Sequence, residues 1–490
     1  MPHISIQNLT FAHNGTGETI FENVSLQIDT AWKLGLIGRN GRGKTTFLNL
    51  LLGKFEYSGK IAADANFEYF PYEVKNPDNA ALDVARGIYP GIEQWQFERE
   101  LGLLELDTHS LCIPFNRLSP GEQTKILLAI LFLKPNTFLL IDEPTNHLDS
   151  KSRITVSRYL NRQTGFILVS HDRVVLDNCI DHVISINKAA VELQKGNFSS
   201  WQVNKNNRDN FERIENEKLH KEIKRLKNSA RQTSAWADKT EKAKYGNGPV
   251  DKGFIGHKAA KLMRQAKNIE SRQHKAVEEK SGLLKNIETV RDLKVIPLKY
   301  VKNKLIEARN LSIRYDDKVI FYGLNFSIEN GDRAALIGKN GCGKSSLIKL
   351  IYGEKINYSG DFYRNTIKIS YVPQSIFHLK GTVREYAGNL DVDEALFKSM
   401  LYRFGVQKDQ FDKDVSDFSD GQKKKVLLAG SLCEQAHLYL WDEPLNFIDV
   451  LSHSQIEDLI INYNPTILFV EHDVSFIKNV ATKKIIIERQ

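Results

Sequence analysis

The chain has 490 residues, of which 41% are hydrophobic, so it is long enough to bury two ordinary domain cores. It has no run of 18 apolar residues, and its first residues, MPHISIQNLTF, lack a charged region followed by an apolar one, so we expect a cytoplasmic protein without a membrane segment. The four cysteines are scattered without CxxC spacing, which disfavours zinc knuckles and a disulfide framework, and the formal net charge of +8 is concentrated in one middle segment.

The first motif is a glycine-rich turn between an apolar strand and a helix, in the sequence LGLIGRNGRGKTTFLNLLLG. Such glycines let backbone N–H groups surround a phosphate at a helix N-terminus, where the helix dipole favours an anion. We expect Lys44 to reach the β- and γ-phosphates of a nucleotide and Thr45 to offer a hydroxyl to Mg²⁺. The predicted phosphate loop consists of Gly38, Arg39, Asn40, Gly41, Arg42, Gly43, Lys44, Thr45 and Thr46.

An acidic pair follows the next strongly apolar strand, in FLLIDEPTNHLD. Asp142 closes the strand, which places its carboxylate at the carboxyl edge of the sheet, close to the metal. Glu143 can polarise a water molecule in line with the γ-phosphate. His171 ends a later apolar strand in ILVSHDR, from which it would approach the same phosphate.

The middle segment is strongly basic, with 16 Lys or Arg against 5 Asp or Glu between Lys218 and Lys275. Its apolar residues recur about every 3.5 positions, which predicts two antiparallel helices on either side of a loop, KYGNGPVDKGFIGHK. A simple spacer would need neither charges of one sign nor aromatic residues at its tip. We therefore expect the basic residues to contact RNA phosphates and the aromatic ones to stack on unpaired bases. These candidate RNA contacts are Lys224, Arg225, Lys261, Arg264, Trp236, Tyr245 and Phe254.

The whole set of motifs returns after a shift of 300 residues, starting with AALIGKNGCGKSSLIKLIYG. Lys44 and Asp142 are 98 residues apart, as are Lys344 and Asp442 in the second copy. The strand-end histidine returns as His472, after Glu443 has repeated the second acidic residue. The second phosphate loop consists of Gly338, Lys339, Asn340, Gly341, Cys342, Gly343, Lys344, Ser345 and Ser346. We expect Ser345 and Asp442 to hold metal, as Thr45 and Asp142 do in the first copy.

These repeats predict an α/β protein of two tandem P-loop cassettes joined by a long antiparallel helical hairpin. We expect the first cassette at residues 1–200, the linker at 201–300 with its tip loop at about 236–257, and the second cassette at 301–490.

Between the glycine-rich turn and the DEP segment, each copy also carries a signature-like sequence, LSPGEQTK and FSDGQKKK. This order of motifs, present twice, resembles the ATP-binding cassette (ABC) superfamily. Two cassettes joined by a charged helical linker, without a membrane domain, resemble the ABC-F proteins. The stretches WKLGLIGRNGRGKTT, LIDEPTNHLD, KYGN and LWDEPLN look most like the Lsa/Vga-type antibiotic-resistance branch.

The resemblance implies ATP and Mg²⁺ as cofactors and a monomer whose cassettes pair head to tail. ATP on Lys44 would then meet Ser419 and Gly421, and ATP on Lys344 would meet Ser119 and Gly121. It also implies an aromatic ring against adenine, for which the sequence offers Tyr315 in the second copy and His13 in the first.

The two copies depart differently from the family pattern. Gln374 stands where the family places a glutamine that faces Mg²⁺, but the first copy has Tyr72 there, which lacks an amide oxygen. The signatures carry Pro120 and Asp420 at the position of a glycine, which removes a backbone donor in one case and adds a carboxylate in the other. We expect unequal and slow sites, although each substitution alone is equally compatible with a neutral variant.

By resemblance, the partners would be the 70S ribosome at its tRNA exit-site region, 23S rRNA and P-site tRNA, without a membrane. The linker tip would act near the peptidyl-transferase centre and dislodge lincosamide, pleuromutilin and streptogramin A antibiotics. Two alternatives stay open: a housekeeping ABC-F translation factor, and the fused ATPase subunit of a membrane transporter. The transporter alternative leaves the basic hairpin unexplained, whereas the sequence separates the housekeeping role poorly.

Overall fold

The structure is a computed structural model that describes residues 3–12, 19–146, 148–187, 190–242, 271, 296–315, 318–339, 341–376 and 379–487. Two compact units divide the chain, one from residues 1–201 with 292–490 and the other from residues 202–291. Both predicted cassettes lie in the first unit. None of the described helices is long and apolar enough to cross a membrane.

Strands and helices alternate along the first cassette. Its strands are β1 (His3–Ala12), β2 (Thr19–Asp29), β3 (Lys33–Gly38), β4 (Ser58–Ala63), β5 (Asn66–Phe70), β6 (Thr137–Asp142), β7 (Phe166–Val169), β8 (His182–Asn187) and β9 (Ala190–Lys195). Its α-helices are α1 (Lys44–Leu51), α2 (Ala81–Ile88), α3 (Gln94–Leu103), α4 (Pro120–Leu133), α5 (Ser150–Asn161) and α6 (Arg173–Cys179). Short 3₁₀ helices span Thr108–Cys112 and Phe115–Arg117.

A six-stranded sheet in the order β5-β6-β7-β3-β8-β9 forms the centre of this cassette. Its neighbouring strands are parallel except β8 and β9. Strands β6 and β7 read as continuous apolar runs because both faces of the sheet are covered. Ile141 packs on the helical side, whereas Leu140 packs with the antiparallel sheet β2-β1-β4 and α1. Parallel pairing brings the ends of β3, β6 and β7 to one edge, where the predicted site residues follow.

The linker begins with α7, a helix that spans Phe198–Lys242. Phe198 and Trp201 at its start are buried in the core of the first cassette, with ring centroids 5.8 Å apart. Residues 236–242 of the predicted tip loop belong to α7, whereas the rest of that loop and the predicted second helix, apart from residue 271, lie outside the described residues.

The second cassette repeats the same order of elements. Its strands are β10 (Lys304–Tyr315), β11 (Lys318–Glu329), β12 (Arg333–Ile337), β13 (Tyr358–Arg364), β14 (Ile369–Val372), β15 (Leu438–Asp442), β16 (Ile467–Val470) and β17 (Lys483–Ile486). Its α-helices are α8 (Lys344–Tyr352), α9 (Val383–Asn389), α10 (Glu394–Arg403), α11 (Asp420–Cys433), α12 (Val450–Tyr463) and α13 (Val474–Val480). Short 3₁₀ helices span Lys408–Gln410 and Val415–Asp417.

A parallel sheet in the order β14-β15-β16-β12-β17 forms the centre of the second cassette, beside an antiparallel sheet β11-β10-β13. The strand order around the phosphate loop therefore matches that of the first cassette. The predicted fold of two tandem α/β cassettes is confirmed.

A buried ion pair joins the two cassettes. Arg173, at the start of α6, donates from Nη1 to Glu457 Oε2 on α12 over 2.9 Å, and both side chains are about 90% buried. The equivalent positions on the other side of the repeat are Val474 and Ser157, which line a cavity of about 190 Å³. The cassettes thus meet through a buried ion pair on one side, which Val474 and Ser157 cannot form on the other.

Glu457→Gln is expected to destabilise the cassette pair because it leaves the Arg173 guanidinium buried without its counter-ion. Breaking one partner of a buried pair typically costs about 3–5 kcal/mol, which should lower the midpoint of thermal unfolding clearly. The matched control is Arg158→Met, which removes an exposed pair with Glu105 of 3.8 Å that should contribute about 1 kcal/mol or less. Equal shifts in the two variants, measured by calorimetry, would contradict the assignment.

Candidate functional site

The first phosphate loop joins β3 to α1 and adopts a backbone that requires glycine. Gly43 has φ 90°, and a Cβ there would lie 2.6 Å from Ile20 Cγ2. Lys44 Nζ donates to Gly38 O over 2.7 Å and to Asn40 Oδ1 over 3.3 Å, so the lysine bends back over the loop. Burial lowers the pKa of Lys44, while the charge of Asp449 opposes that shift. The lysine is positioned to release these neutral acceptors for phosphate oxygens.

Residues from both cassettes line a cavity of about 790 Å³ at this loop. Ser419 and Gly421 of the second cassette lie in the same cavity as Lys44. From the first cassette the lining residues are Thr19, Ile20, Asn40, Gly41, Arg42, Gly43, Lys44, Thr45, Thr46, Asp142, Glu143, Asn146, Val169 and His171. From the second they are Asp409, Gln410, Lys413, Ser419, Asp420, Gly421 and Phe447.

Asn40 connects the phosphate loop directly to the second cassette. Its Nδ2 donates to Phe447 O over 2.6 Å, and its backbone N–H donates to Asp449 Oδ2 over 3.3 Å. A Cβ at Gly421 would collide with Asn40 Nδ2 and with the Phe447 carbonyl, so this signature position needs glycine. Arg39, the neighbouring loop residue, lies against Gly405 of the second cassette.

Hard oxygen atoms stand at the predicted metal position of the first cassette. Thr45 Oγ1 donates to Asp142 Oδ2 over 3.1 Å, and Tyr69 Oη donates to the same oxygen over 3.1 Å. Burial raises the pKa of Asp142, and these two hydrogen bonds and Lys44 oppose the shift. A hydroxyl and a carboxylate are the ligands that Mg²⁺ takes beside nucleotide phosphates, so the residues present fit the ion.

The equivalent pair in the second cassette is Ser345 and Asp442. Burial raises the pKa of Asp442, and a hydrogen bond from Ser345 opposes the shift. Gln374, predicted as a metal-facing residue, donates from Nε2 to Glu443 Oε2 over 2.9 Å. The structure therefore places its amide nitrogen on the acidic residue beside the metal position.

Glu143 and His171 form a closely spaced pair in the first cassette. His171 Nε2 lies 3.0 Å from Glu143 Oε1, and both side chains are largely buried. Burial and the charge of Asp142 raise the pKa of Glu143 to about 8, although Lys44 opposes the shift. Burial and Lys44 also lower the pKa of His171 well below its ordinary value. At neutral pH the pair is therefore mostly an uncharged acid and an uncharged imidazole.

Glu443 has the same backbone position but the opposite charge state. Burial would raise its pKa, but hydrogen bonds from His472, Gln374 and Asn446 outweigh that effect and lower it to about 2. His472 Nε2 lies 3.7 Å from Glu443 Oε1. Glu443 is thus ionised at neutral pH, whereas Glu143 is mostly protonated.

The presence of Tyr72 instead of glutamine explains part of the difference between Glu143 and Glu443. Its hydroxyl donates to Glu68 Oε2 over 3.2 Å, and Lys134 Nζ lies 4.8 Å from its ring centroid. The side chain that replaces glutamine thus binds a carboxylate other than Glu143. Tyr69, which the sequence did not single out, makes the contact with Asp142 instead; no spacing signal distinguished the two tyrosines.

The signature serines begin helices α4 and α11 as N-caps. Ser119 donates from both its N–H and its hydroxyl to Glu122 Oε2, each over 2.8 Å. Ser419 donates from its N–H to Gln422 Oε1 over 3.0 Å, and its hydroxyl accepts the Gln422 N–H over 3.4 Å. The glutamate and glutamine, visible in the sequence as LSPGE and FSDGQ, make the two serines chemically unequal.

Pro120 and Asp420 occupy the first helical position after these caps. A proline at this position loses no helical hydrogen bond, because the first N–H groups of a helix have no partner within it. The backbone donor that Pro120 removes could therefore matter only to a ligand. Asp420 is one of the residues that line the cavity with Lys44.

The second phosphate loop resembles the first in its backbone. Gly343 has φ 100°, and Lys344 Nζ donates to Gly338 O over 2.9 Å and to Lys339 O over 3.0 Å. Cys342 is fully buried, and Asn340 lies outside the described residues. Ser119 and Gly121 are at the start of α4, and they are not in the cavity that contains Lys44.

The structure describes one of the two predicted adenine-stacking residues. Tyr315 is 44% exposed, and its hydroxyl donates to Ser346 Oγ over 3.2 Å, so it stands beside the second phosphate loop. His13 lies outside the described residues.

The predicted RNA contacts fall mostly outside the described residues. Lys224 and Arg225 are exposed on α7, and Trp236 belongs to the same helix. Tyr245, Phe254, Lys261 and Arg264 lie outside the described residues.

Comparisons with known proteins agree with this geometry. A family model described as "ABC transporter" matches residues 21–146 and 321–446. The chain is 27% identical to "Ribosome protection protein VmlR" of Bacillus subtilis over 96% of its length and 84% of the relative's. It is 26% identical to "Energy-dependent translational throttle protein EttA" of Escherichia coli K12, over 94% of this chain and 88% of the relative.

Among solved structures, the archaeal ribosome recycling factor aABCE1, in complex with ribosomal stalk protein aP1, has a TM-score of 0.66 with 19% identity. The match covers 99% of this chain and 88% of the other. At this identity the likeness concerns the fold.

The opposite pKa shifts of Glu143 and Glu443 predict different pH dependences for two single variants. In Glu443→Gln, only Glu143 remains as a base, so kcat/KM for ATP should rise as pH increases from 6.5 towards 9, by roughly tenfold per unit below about 8. In Glu143→Gln, the remaining Glu443 is already ionised, so its profile should lack this rise. At pH 7, Glu443→Gln should therefore reduce turnover more than Glu143→Gln.

Steady-state hydrolysis measured across this pH range provides the check. The titration of ATP itself affects both variants, so the ratio of the two profiles removes it. Equal losses at pH 7 and parallel profiles would contradict the proposed inequality.

Proposed function

Because the chain belongs to the ATP-binding cassette (ABC) transporter family, and because its relatives VmlR and EttA are ABC-F proteins, we propose that it is a ribosome-associated ABC-F ATPase. It hydrolyses ATP with Mg²⁺, as its family does. The observation that carries the proposal is the cavity in which Lys44 of one cassette faces Ser419 and Gly421 of the other. A nucleotide there would hold the two cassettes together.

In this proposal, Lys44 and the backbone N–H groups of the phosphate loop bind the β- and γ-phosphates. Ser419 and Gly421 bind the γ-phosphate from the opposite side, so closure depends on the triphosphate. Thr45 and Asp142 would hold Mg²⁺, which neutralises charge on the phosphates when bound. Glu143 orients and deprotonates the attacking water, and His171, 3.0 Å away, positions that carboxyl group.

The second cassette would use the same chemistry, but its base, Glu443, differs from Glu143 in its protonation state. Ser345 and Asp442 take the metal role, Glu443 the role of the base, and His472 the supporting role. Because Glu443 is held ionised by three donors, it accepts a proton without first losing one. We propose that this site contributes more of the turnover at neutral pH, once Ser119 and Gly121 close on it.

The proposed partners are the 70S ribosome at its exit-site region, 23S rRNA and P-site tRNA, in the cytoplasm. The names of VmlR and EttA, a ribosome protection protein and a translational throttle protein, support a site of action on the ribosome. Exposed Lys224 and Arg225 on α7 suit contact with RNA phosphates. We further propose that the linker tip acts near the peptidyl-transferase centre and dislodges lincosamide, pleuromutilin and streptogramin A antibiotics.

A housekeeping translation factor is the second candidate, because the similarity to EttA is almost as high as that to VmlR. Drug-susceptibility profiles of a deletion strain and an overexpressing strain distinguish the two roles. Changed susceptibility supports protection, whereas a growth or translation defect without it supports housekeeping. A transporter ATPase subunit would sediment with membranes instead of ribosomes.

Glu143→Gln combined with Glu443→Gln should trap the protein on ribosomes. Glutamine preserves the shape of the site and ATP binding but cannot accept a proton, so hydrolysis should fall by about 100-fold or more. The variant should co-sediment with ribosomes in ATP and inhibit growth when expressed. The matched control is Glu56→Gln with Glu354→Gln, which changes one exposed glutamate in each cassette. Parental hydrolysis by the first variant would show that these glutamates are not the bases.

Replacing Tyr245 to Gly256 with a short Gly/Ser turn should separate binding from protection. The cassettes should still hydrolyse ATP, and the basic residues should still bind RNA, because phosphate contacts supply most of the sequence-independent affinity. Resistance in the expressing strain should be lost, since the replaced loop contains the aromatic residues that reach the drug site.

The converse variant neutralises Lys224, Arg225, Lys261 and Arg264 and keeps the tip. It should weaken ribosome binding in a salt-dependent way, measured by co-sedimentation at increasing salt. If the variant with the Gly/Ser turn still confers full resistance, the replaced loop serves only to connect the two helices.

A further inference from the structure

A buried lysine on the signature helix of the second cassette is unused by the chemistry described so far. Lys424 lies on α11, five residues after Ser419, and only 1% of its surface is exposed. Its Nζ donates to Pro373 O over 2.8 Å and to Asp442 O over 3.2 Å. The side chain thus fixes two backbone carbonyls that belong to other segments of the cassette.

A buried glutamate supports the same segments. Glu471 accepts the backbone N–H of Leu445 on Oε1 over 2.7 Å and that of His472 on Oε2 over 3.0 Å. Burial lowers the pKa of Lys424 to about 8, and the negative charge of Glu471 is the largest effect that opposes this shift. Lys424 and Glu471 therefore each hold two backbone groups in the segments around Asp442 and Glu443.

The first cassette has neither charge at the equivalent positions. Thr124 replaces Lys424, and its hydroxyl donates to Pro120 O over 2.9 Å, within its own helix. Ser170 replaces Glu471, and its hydroxyl hydrogen-bonds with that of Thr145 over 3.2 Å. These side chains are short and bond only nearby groups. Thr124 therefore does not make the hydrogen bonds to other segments that Lys424 makes to Pro373 O and Asp442 O.

Lys424 and its hydrogen bonds connect parts of two different nucleotide sites. Ser419, at the start of α11, lies in the cavity of Lys44. Pro373 precedes Gln374, which donates to Glu443, and Asp442 is the metal-position aspartate beside Lys344. Five residues of helix span only about 7.5 Å and move as a rigid body, so a shift at Ser419 must shift Lys424.

We propose that Lys424 is a positioning residue that couples the two sites through the signature helix of the second cassette and not through that of the first. Closure of Ser419 on a nucleotide at Lys44 moves α11, and Lys424 transmits that movement to the backbone that holds Gln374, Asp442 and Glu443. The signature helix of the first cassette, with Thr124, provides no equivalent path. The proposal rests on the ATPase activity and on the assignment of Glu143 and Glu443, and it is independent of ribosome binding.

A double-mutant cycle on purified protein tests this coupling. All variants carry Glu143→Gln, so that the measured turnover comes from the second site. Ser419→Ala should lower kcat by about fivefold or more when Lys424 is present, within the usual range of coupling between sites. In the Lys424→Thr background, the same change should alter kcat by less than about twofold, because the path between the sites has been cut.

The controls separate coupling from general damage. Lys423→Thr removes a neighbouring lysine that has no such contacts among the described residues, and it should leave the effect of Ser419→Ala unchanged. Lys424→Arg keeps a charged donor and should restore most of the coupling. If Lys424→Thr does not fold, Lys424→Met with Glu471→Gln removes both charges and takes its place in the cycle.

The signature helix of the first cassette supplies the second arm. With Glu443→Gln in place, Thr124→Ala should leave the effect of Ser119→Ala on the turnover of the first site unchanged within about twofold, because the Thr124 hydroxyl bonds only within its own helix. An equal loss from Ser419→Ala with and without Lys424 would overturn the proposed coupling, and an effect of Ser119→Ala that depends on Thr124 would overturn its restriction to the signature helix of the second cassette. Hydrolysis that survives in the Glu143→Gln, Glu443→Gln protein would instead overturn the assignment of the bases.

Discussion

The buried carboxylate of Asp449 is the contact on which the shared site depends. It accepts from Lys425 Nζ over 2.5 Å, from the Ser452 N–H over 2.9 Å and from the Asn40 N–H over 3.3 Å. These donors belong to the signature helix, to the start of α12 and to the phosphate loop of the other cassette. Burial would raise the pKa of Asp449, but the charges of Lys425 and Lys44 lower it below its usual range. An ionised carboxylate therefore joins three elements and compensates two buried lysines, which would repel each other without it.

The two cassettes differ most at residues that face the other cassette and at residues around the metal-position aspartates, Asp142 and Asp442. The phosphate loops keep the same backbone, because Gly43 and Gly343 both need positive φ before a helix. The cores keep the same layers for the same reason: each must cover both faces of a parallel sheet. No such constraint acts on Arg173 and Glu457, which face each other across the cassettes, while Val474 and Ser157 stand at the equivalent positions. Duplicated folds can therefore diverge in charge without diverging in architecture.

Much of the fold was predictable because its signals are local. A continuous apolar strand, a glycine that must adopt positive φ and an N-capping serine can each be read within ten residues. The site was harder to predict, since its charges depend on residues that only tertiary packing brings together. Arg173 and Glu457 are 284 positions apart, and nothing in either segment indicates the other. Tyr69 and Tyr72 lie in the same strand-to-loop segment, yet only Tyr69 reaches Asp142. Tyr245 and Phe254, outside the described residues, remain predictions.

The backbone of the two acidic residues shows where the inequality of the sites originates. Glu143 has φ 52° and Glu443 has φ 47°, a left-handed conformation that is unfavourable for glutamate by about 1 kcal/mol or more. Both N–H groups bond to the strand beside them, at Val169 and Val470, which holds the strained residue at the end of the sheet. Because the fold imposes the same strain twice, it gives both glutamates the same backbone position. Their protonation differs because Gln374 and Asn446 donate to Glu443, whereas Glu143 has Asp142 and a neutral His171 beside it. The unequal chemistry therefore comes from neighbouring donors and charges and not from the position of the base.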